Sequence, residues 1–287
     1  MSAISDLLRV DPGHVDLGRI DPRSTPGIPD KKSVRKDPKQ WSLDEFVGLS
    51  GRLATYQEQL YALAKEGGDN RRVLLVLQAM DCGGKDGTTK HVVGAMNPSG
   101  LRVASFGVPT AEERRHHFLW RIRNALPAYG QVGVFNRSHY EDVLVARVHR
   151  LVEPRTWRAR YGQINRFEQE LAGDGCRLVK VMLHISPDEQ LERLGDRLVD
   201  PTKHWKYNPG DIDERARWDD YMAAYTDVLR RCSTEHAGWY VVPADRKWYR
   251  NWAVAHLLLE TFADMGLHYP EVTFDVAAER KRVTALK

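Results

Sequence analysis

Lys85 stands in the stretch QAMDCGGKDGTTKH (78–91), which nearly matches the phosphate-loop pattern G-x-x-x-x-G-K-[ST]. Counting back from the lysine, Ala79 occupies the place of the first glycine, and Asp86 the place of the Ser/Thr. Gly83, Gly84 and Gly87 let backbone N–H groups turn inward, and a helix starting here adds about half a positive charge at its N-terminus. Lys85 supplies a full charge, and Thr88 and Lys90 extend the expected phosphate contacts. The plain alternative is a glycine-rich turn with a surface lysine. The missing hydroxyl matters because it usually holds Mg²⁺. Asp81 and Asp86 bracket the loop instead, and a carboxylate is a better hard-cation ligand than a hydroxyl. Asp81, at the end of an apolar run, could reach a metal or an incoming acceptor group.

Two further stretches carry the same chemistry. In VGVFNRSHYEDVLVARVHR (132–150), Asn136 sits where many phosphate-loop enzymes place a metal-binding Asp. Arg137 follows, a residue type that forks across phosphate oxygens. Tyr140 and Glu141 join Asn136 and Arg137 as candidate nucleotide contacts, and Glu141 or Asp142 could hold a metal through water. In LERLGDRLVDPTKHWKYNPGD (191–211), Arg193 and Arg197 lie four apart, and Lys203 and Lys206 follow the Asp200-Pro201 break. Helix, Pro-bounded loop and helix suit a lid that closes over phosphates and excludes water. A solvated basic face is the alternative, since Asp196 and Asp200 partly neutralise the cluster. RNA binding through Trp205 and Tyr207 lacks any recognised module.

These residues need a frame. Five short β-branched runs (73–79, 102–106, 132–136, 179–185 and 239–244) are continuous rather than alternating, which predicts strands covered on both faces. Helical patterns lie between them. Ser42-x-x-Glu45 predicts a helix start, with Phe46, Leu49, Leu53, Tyr56, Leu60 and Leu63 on one face until Gly67-Gly68. Thr110-x-x-Glu113, Ser186-x-x-Glu189 and Asp211-x-x-Glu214 predict three more starts, the first running to about Ala125. Alternating strands and helices imply a parallel sheet, whose ligands sit beyond the strands' carboxyl ends. Residues 1–40, rich in Pro, Gly and charge, read as an extended arm lying on the body or partly disordered, and 271–287 as a tail.

The 287 residues suffice for one large domain or a core with an appended module. A net charge of +4 is too mild to indicate a nucleic-acid binder, so anion specificity must come from local clustering. Cys82, Cys176 and Cys232 make no metal-ligand spacing, so reduced thiols are expected. The N-terminus lacks the basic and apolar regions of a signal peptide, and no stretch approaches a membrane span. A soluble cytoplasmic protein is the expectation.

Together the signals resemble the polyphosphate kinase 2 family. MDCGGKDGTTKH is similar to its Walker A segment, FNRSHYEDVL to its Walker B segment, and DPTKHWKYNPGD with WDDYMAAYTDVL to its lid; STEHAGWYVVPADRKWYRNWAV (233–254) is similar to its last strand and helix. The resemblance covers about residues 40–266. It implies a three-layer α/β/α P-loop kinase-like core with a five-stranded parallel sheet, within a catalytic domain at 41–270, a helical lid near 193–225 and an N-terminal extension. It also implies reversible transfer, with Mg²⁺ (or Mn²⁺), of a terminal phosphoryl between inorganic polyphosphate and nucleoside mono- or diphosphates, AMP and ADP foremost and guanine nucleotides among the candidates. Carried over, Asp81 becomes the metal ligand and activator of the acceptor. Lys85 and Arg137 hold the phosphoryl, Asn136 lies beside the metal, and Arg193 and Arg197 close from the lid. A homo-oligomer, dimer or tetramer, is expected on the same ground. The FNRSHYEDVL form and PTAEE (109–113) look like the subgroup accepting both AMP and ADP, although Ala79 replaces a glycine seen in some members and His117 stands where that subgroup has an acidic residue.

Phosphoryl transfer asks for positioning and charge neutralisation rather than covalent chemistry. A polyphosphate donor carries about one negative charge per unit and wants a cationic track, which Lys85, Lys90, Arg193, Lys203 and Lys206 could form. An ATP-dependent small-molecule kinase on the same core and a non-catalytic polyphosphate- or RNA-binding protein are the other readings.

Overall fold

The computed structural model describes residues 3–286. All five runs are strands: β1 Arg72–Ala79, β2 Leu101–Ser105, β3 Val132–Asn136, β4 Cys176–His184 and β5 Trp239–Pro243. They form one parallel sheet in the order β2-β3-β1-β4-β5. The chain builds β2 and β3 on one side of β1 and β4 and β5 on the other, so a crevice opens above β1, where such sheets bind ligands. In register, Leu77 lies opposite Asn136 and Ala79 opposite Leu183, which brings the polar bursts after β1, β3, β4 and β5 to one rim. β1 is buried along its whole length. β2 departs from the expectation of burial on both faces: it is the edge strand, and Val103 is 53% exposed.

Helices cover both faces. The helix Pro38–Gly67 starts earlier than predicted, because Asp37 accepts hydrogen bonds from the Lys39 and Gln40 amides and Pro38 occupies the first turn. Ser42 therefore lies inside the helix, where its hydroxyl donates to Lys39 O. The predicted stop holds, with Gly68 in the left-handed region at φ 68°. Leu49, Leu53, Leu60 and Leu63 are buried; Leu49, Leu53 and Leu60 belong to a core cluster shared with the last long helix, Lys247–Asp264. Ser186 caps the helix Pro187–Val199 as expected, its hydroxyl accepting from Glu189 N. The Thr110–Glu113 box forms reciprocally but opens only a single turn, Glu113–Arg115, and Trp120–Asn124 is a separate short helix. Asp211 lies within the helix Gly210–Arg215 rather than capping it, because its carboxylate is taken by Arg197. Among the described residues no helix is long and apolar enough to cross a membrane.

The N-terminal arm lies along the body. Ile4 and Leu8 are buried, and the Ile4 and Ser5 amides donate to Glu260 in the helix Lys247–Asp264, called the last helix although a short exposed one, Val276–Thr284, follows it. Val10 N donates to Trp239 O on β5, and farther along Pro22, Arg23 and Pro26 offer carbonyls to Asp245 N, Arg246 Nε and the Tyr249 hydroxyl. The arm thus braces the segment joining β5 to the last helix.

Behind β3, a sealed ionic network fixes the chain. Lys180 on β4 donates to Glu168 Oε2 at 2.6 Å, to the Tyr140 hydroxyl at 2.9 Å and to Cys232 O at 2.6 Å, while His139 contacts Glu168 at 3.1 Å. Burial alone would raise the Glu168 pKa, but Lys180 and His139 hold it below its ordinary 4.5. Removing one partner of such a pair strands a charge, so Lys180→Met should destabilise the fold by about 3–5 kcal/mol, and Lys180→Met with Glu168→Leu by clearly less. Because the folded pKa of Glu168 is lowered, its contribution is full above the unfolded value and is lost as pH falls. Thermal unfolding by circular dichroism at pH 7 and pH 4 would check both, and equal melting temperatures for the single and double variants would contradict the assignment.

Candidate active site

After Ala79 the chain turns on a Gly83 N to Met80 O hydrogen bond, passes Cys82 at φ 63° and Gly84 at φ 102°, and enters the helix Lys85–Val92. A side chain at Gly83 would collide with Ala79, and one at Gly84 with Arg250, so neither position has room for a Cβ. Lys85 folds back over the loop, its Nζ 3.0 Å from Ala79 O and 3.4 Å from Met80 O. Burial pulls its pKa down, while Asp81 opposes that and Arg137 adds to it. An ammonium held this way is desolvated and positioned for an anion. A cavity of about 670 Å³ opens above it.

Arg137 leaves β3 at φ 62° and crosses toward the loop, with Nη2 3.0 Å from Asp81 Oδ1 and Nη1 4.0 Å from Glu141 Oε2. Burial works against its charge, but Glu141 and Asp81 outweigh it and raise the pKa. Glu141 is itself pushed up by burial, with Arg137 and Lys85 opposing. Asn136 donates Nδ2 to Asp86 Oδ1 at 2.7 Å. Asp81, Lys85, Arg137 and Glu141 therefore form one alternating charge array at the ends of β1 and β3.

From the β4 side, Arg193 inserts the helix Pro187–Val199 into this array. It is buried and bonded on all sides: Nη1 to Cys82 O at 2.8 Å, Nη2 to Ala244 O and Asp245 O at 2.6 and 3.0 Å, and Nε to Glu189 at 2.8 Å. Gln190 adds a bond to Asp81 O. Arg193 is thus a strut joining the loop to the end of β5, which corrects the expectation that it closes from the lid. Arg197 bridges Lys206 O at 2.9 Å and Asp211 Oδ2 at 3.0 Å, folding the 201–211 segment over the mouth. Burial raises the Asp211 carboxyl, and so does the like charge of Asp81. Lys203 pairs with Asp200, and Lys206 lies over Trp205; both are exposed and line the cavity.

The cavity gathers Asp81, Gly83, Gly84, Lys85, Asp86, Gly87, Lys90, Asn136, Arg137, Arg193, Arg197, Lys203 and Lys206. Two expected contacts lie elsewhere. Thr88 is buried, its hydroxyl donating to Gly84 O, so it faces the packed interior instead of meeting phosphate. Tyr140 is fully buried beneath β3, its hydroxyl held by Glu168 and Lys180, so it cannot reach a nucleotide. Lys247, Arg250 and Asn251, from the first turns after β5, also line the cavity and were absent from the expected set. The signal was available: DRKWYRNW directly follows the fifth apolar run, as the other polar bursts follow theirs.

Among the described residues no three His, Cys, Asp or Glu side chains converge into a metal cage. Asp81 and Asp86 still present hard oxygens on either side of the loop. Mg²⁺ ordinarily takes one or two carboxylates and completes its shell with phosphate and water, so this donor set fits it. Gly84→Ala should destabilise the fold and cut any activity of the site at least tenfold, since strain at φ 102° costs about 1–3 kcal/mol and Arg250 must move. Gly48→Ala, with nothing within 4 Å of the added methyl, should be neutral or stabilising in the same melting and activity assays.

Comparison with known proteins agrees with this geometry. Residues 42–269 match the family Polyphosphate kinase 2. The AMP/ADP-polyphosphate phosphotransferase of Meiothermus ruber is 48% identical over 264 residues, 92% of this chain and 94% of that one. The ADP-polyphosphate phosphotransferase of Rhodopseudomonas palustris is 41% identical, covering 82% of this chain and 83% of its own. The crystal structure of polyphosphate kinase 2 from Arthrobacter aurescens superposes with a TM-score of 0.93 at 48% identity, over 99% of this chain and 97% of that one. The sheet order, the loop built around Lys85 and these likenesses lead to one conclusion: the chain belongs to the polyphosphate kinase 2 family.

Proposed function

We propose that the protein transfers the terminal phosphoryl group of inorganic polyphosphate to AMP and ADP, reversibly and with Mg²⁺. The observation that carries this reading is the cavity itself. Lysines and arginines line it from the loop, from β3, from the lid and from the last helix, against three aspartates, Asp81, Asp86 and Asp196. That is a track for a polyanion rather than a socket for a base and sugar. The name of the Meiothermus ruber relative, at 48% identity, supports both acceptors.

In the proposed reaction an acceptor phosphate oxygen attacks the terminal phosphorus in line, and the bond from that phosphorus to the oxygen bridging it to the penultimate phosphorus breaks. The shortened chain leaves with the electron pair on that oxygen. Lys85 and Arg137 hold the equatorial oxygens as charge spreads over them. Asp81, already 3.0 Å from Arg137, orients that guanidinium and faces the acceptor side. Bound through Asp81, with Asp86 and Asn136 beside it, Mg²⁺ would supply charge neutralisation between donor and acceptor phosphates. Arg197 draws the 201–211 segment across the opening and limits water, which would otherwise compete as acceptor. Cytoplasmic placement and a homo-oligomer complete the proposal; Val272, Phe274 and Val283 on the C-terminal segment are each more than half exposed and offer apolar surface to bury.

Incubation with long-chain polyphosphate, Mg²⁺ and AMP or ADP, followed by chromatography, should yield ADP and ATP. Lys85→Ala, Arg137→Ala and Asp81→Asn should each lower the rate by about 10³-fold or more. No product from AMP, ADP, GMP or GDP would overturn the reading, and ATP acting as donor to a non-nucleotide with polyphosphate inert would replace it. Light scattering of the intact protein should give a multiple of the 32.9 kDa chain mass.

A further inference from the structure

Of the two buried arginines in the cavity, Arg193 and Arg250, only Arg250 lacks an ion-pair partner among the described residues. It is 3% exposed, yet it has no carboxylate partner among the described residues. Its Nε and Nη2 donate only to the neutral Asn251 Oδ1, at 3.2 and 2.9 Å. Nη1 has no partner among the described residues and is not sealed from solvent, so it opens toward the cavity. Burial, with Arg193 nearby as a like charge, pulls the Arg250 pKa down to about 10. A buried guanidinium in this state calls for an anion.

Its place is constructed. The guanidinium lies against the loop helix where Gly84 and Gly87 lack side chains; a Cβ at Gly87 would come within 2.8 Å of Nη2. Arg250 therefore stands beside the inward-turned amides of the loop, at the positive end of the helix Lys85–Val92. Lys247, one helical turn earlier, and Lys90 line the same cavity and are exposed. The charge array of Asp81, Arg137 and Glu141 lies on the β3 side of Lys85, with Asp81 and Glu141 supplying negative charge. On the side of the helix Lys247–Asp264, Arg250 and Lys247 form no ion pair among the described residues, the nearby Glu189 being paired with Arg193 and the Asp245 carboxylate bonded to Ser186. One side of Lys85 suits an acceptor that comes with metal and hydrogen-bonding demands; the other suits bare phosphate.

We propose that Arg250 is a substrate-binding residue for the donor, gripping the polyphosphate units that adjoin the transferring phosphoryl, with Lys247 continuing the grip outward. The donor chain then enters along the last helix, and the nucleotide phosphate meets it from the β3 side. This rests on the proposed function for the identity of the chain, while the chemistry that recognises it is that of adjacent phosphate groups in general.

The test measures binding and turnover separately. Affinity of the full-length protein for inorganic polyphosphate, without nucleotide, is taken by calorimetry for wild type, Arg250→Gln, Arg250→Lys and Lys247→Gln, with melting temperatures to establish folding. Arg250→Gln should weaken binding roughly 10- to 100-fold, the worth of a charge-assisted hydrogen bond or two, and Arg250→Lys less, because it keeps charge but loses the fork. In the transfer assay the KM for polyphosphate should rise with the KM for ADP unchanged. A folded Arg250→Gln protein that binds polyphosphate as wild type does, or whose KM shift falls on ADP, overturns the proposal. If the Gln variant does not fold, the Arg250→Lys affinity decides in the same way. A wild-type protein that binds polyphosphate but makes no nucleotide product would defeat the proposed function while the affinity comparison still judges Arg250.

Discussion

A guanidinium taken out of water must find oxygen partners, and two arginines impose that requirement on the loop after β1. Arg193 meets it with protein: the carbonyls of Cys82, Ala244 and Asp245 converge on one side chain. That convergence ties the loop, the end of β5 and the helix Pro187–Val199 into one body. Cys82, at φ 63°, turns its carbonyl to Arg193 and sits in a region that β-carbon sterics disfavour. Arg250 meets the requirement only in part, so the loop must be glycine at 84 and 87 to let it approach. The glycines of the phosphate loop thus answer to a side chain from the far end of the sequence as well as to backbone approach by phosphate.

Charge within the cavity is arranged in unequal halves. Toward β3, cations and carboxylates alternate, and their mutual effects hold Arg137 charged while burial and neighbouring charge shift Lys85 and Glu141 away from their ordinary values. Toward the last long helix, Arg250 and Lys247 have no ion-pair partner among the described residues. A low-dielectric crevice with fixed donors on both sides stabilises a transferring phosphoryl without reorganising during the step. Arg197 and Asp211 then fasten the 201–211 segment over the opening, and its two lysines remain exposed on the cavity wall.

Distance from the site does not mean independence from it. The arm hands carbonyls to Asp245, Arg246 and Tyr249, the residues flanking Lys247 and Arg250, so the first thirty residues help aim the last helix. The Lys180–Glu168–Tyr140 network does the equivalent for β3, pinning the turn that carries Arg137. Both are long-range contacts made by residue types with no local signature of that role.

The apolar runs, the Gly-Gly-Lys turn and the Ser186 box were legible in the sequence because their causes are local: backbone propensity, capping and glycine conformation act within a few residues. Those same causes located β1 to β5, the cavity rim, and Asp81, Lys85, Arg137 and Arg197 at its wall. They misplaced Thr88 and Tyr140, since proximity along the chain to a phosphate loop or a strand end says nothing about which way a side chain turns when a core needs it. They passed over Arg250, whose neighbours Gly84 and Gly87 lie more than 150 residues away, and they set Arg193 in the lid, where three distant carbonyls instead hold it to the loop and the end of β5. Sequence alone determined a parallel-sheet phosphate-handling core and its family likeness. Tertiary structure decided which cations are bound to protein and which are left for substrate, because only packing brings each charge its partner or withholds one.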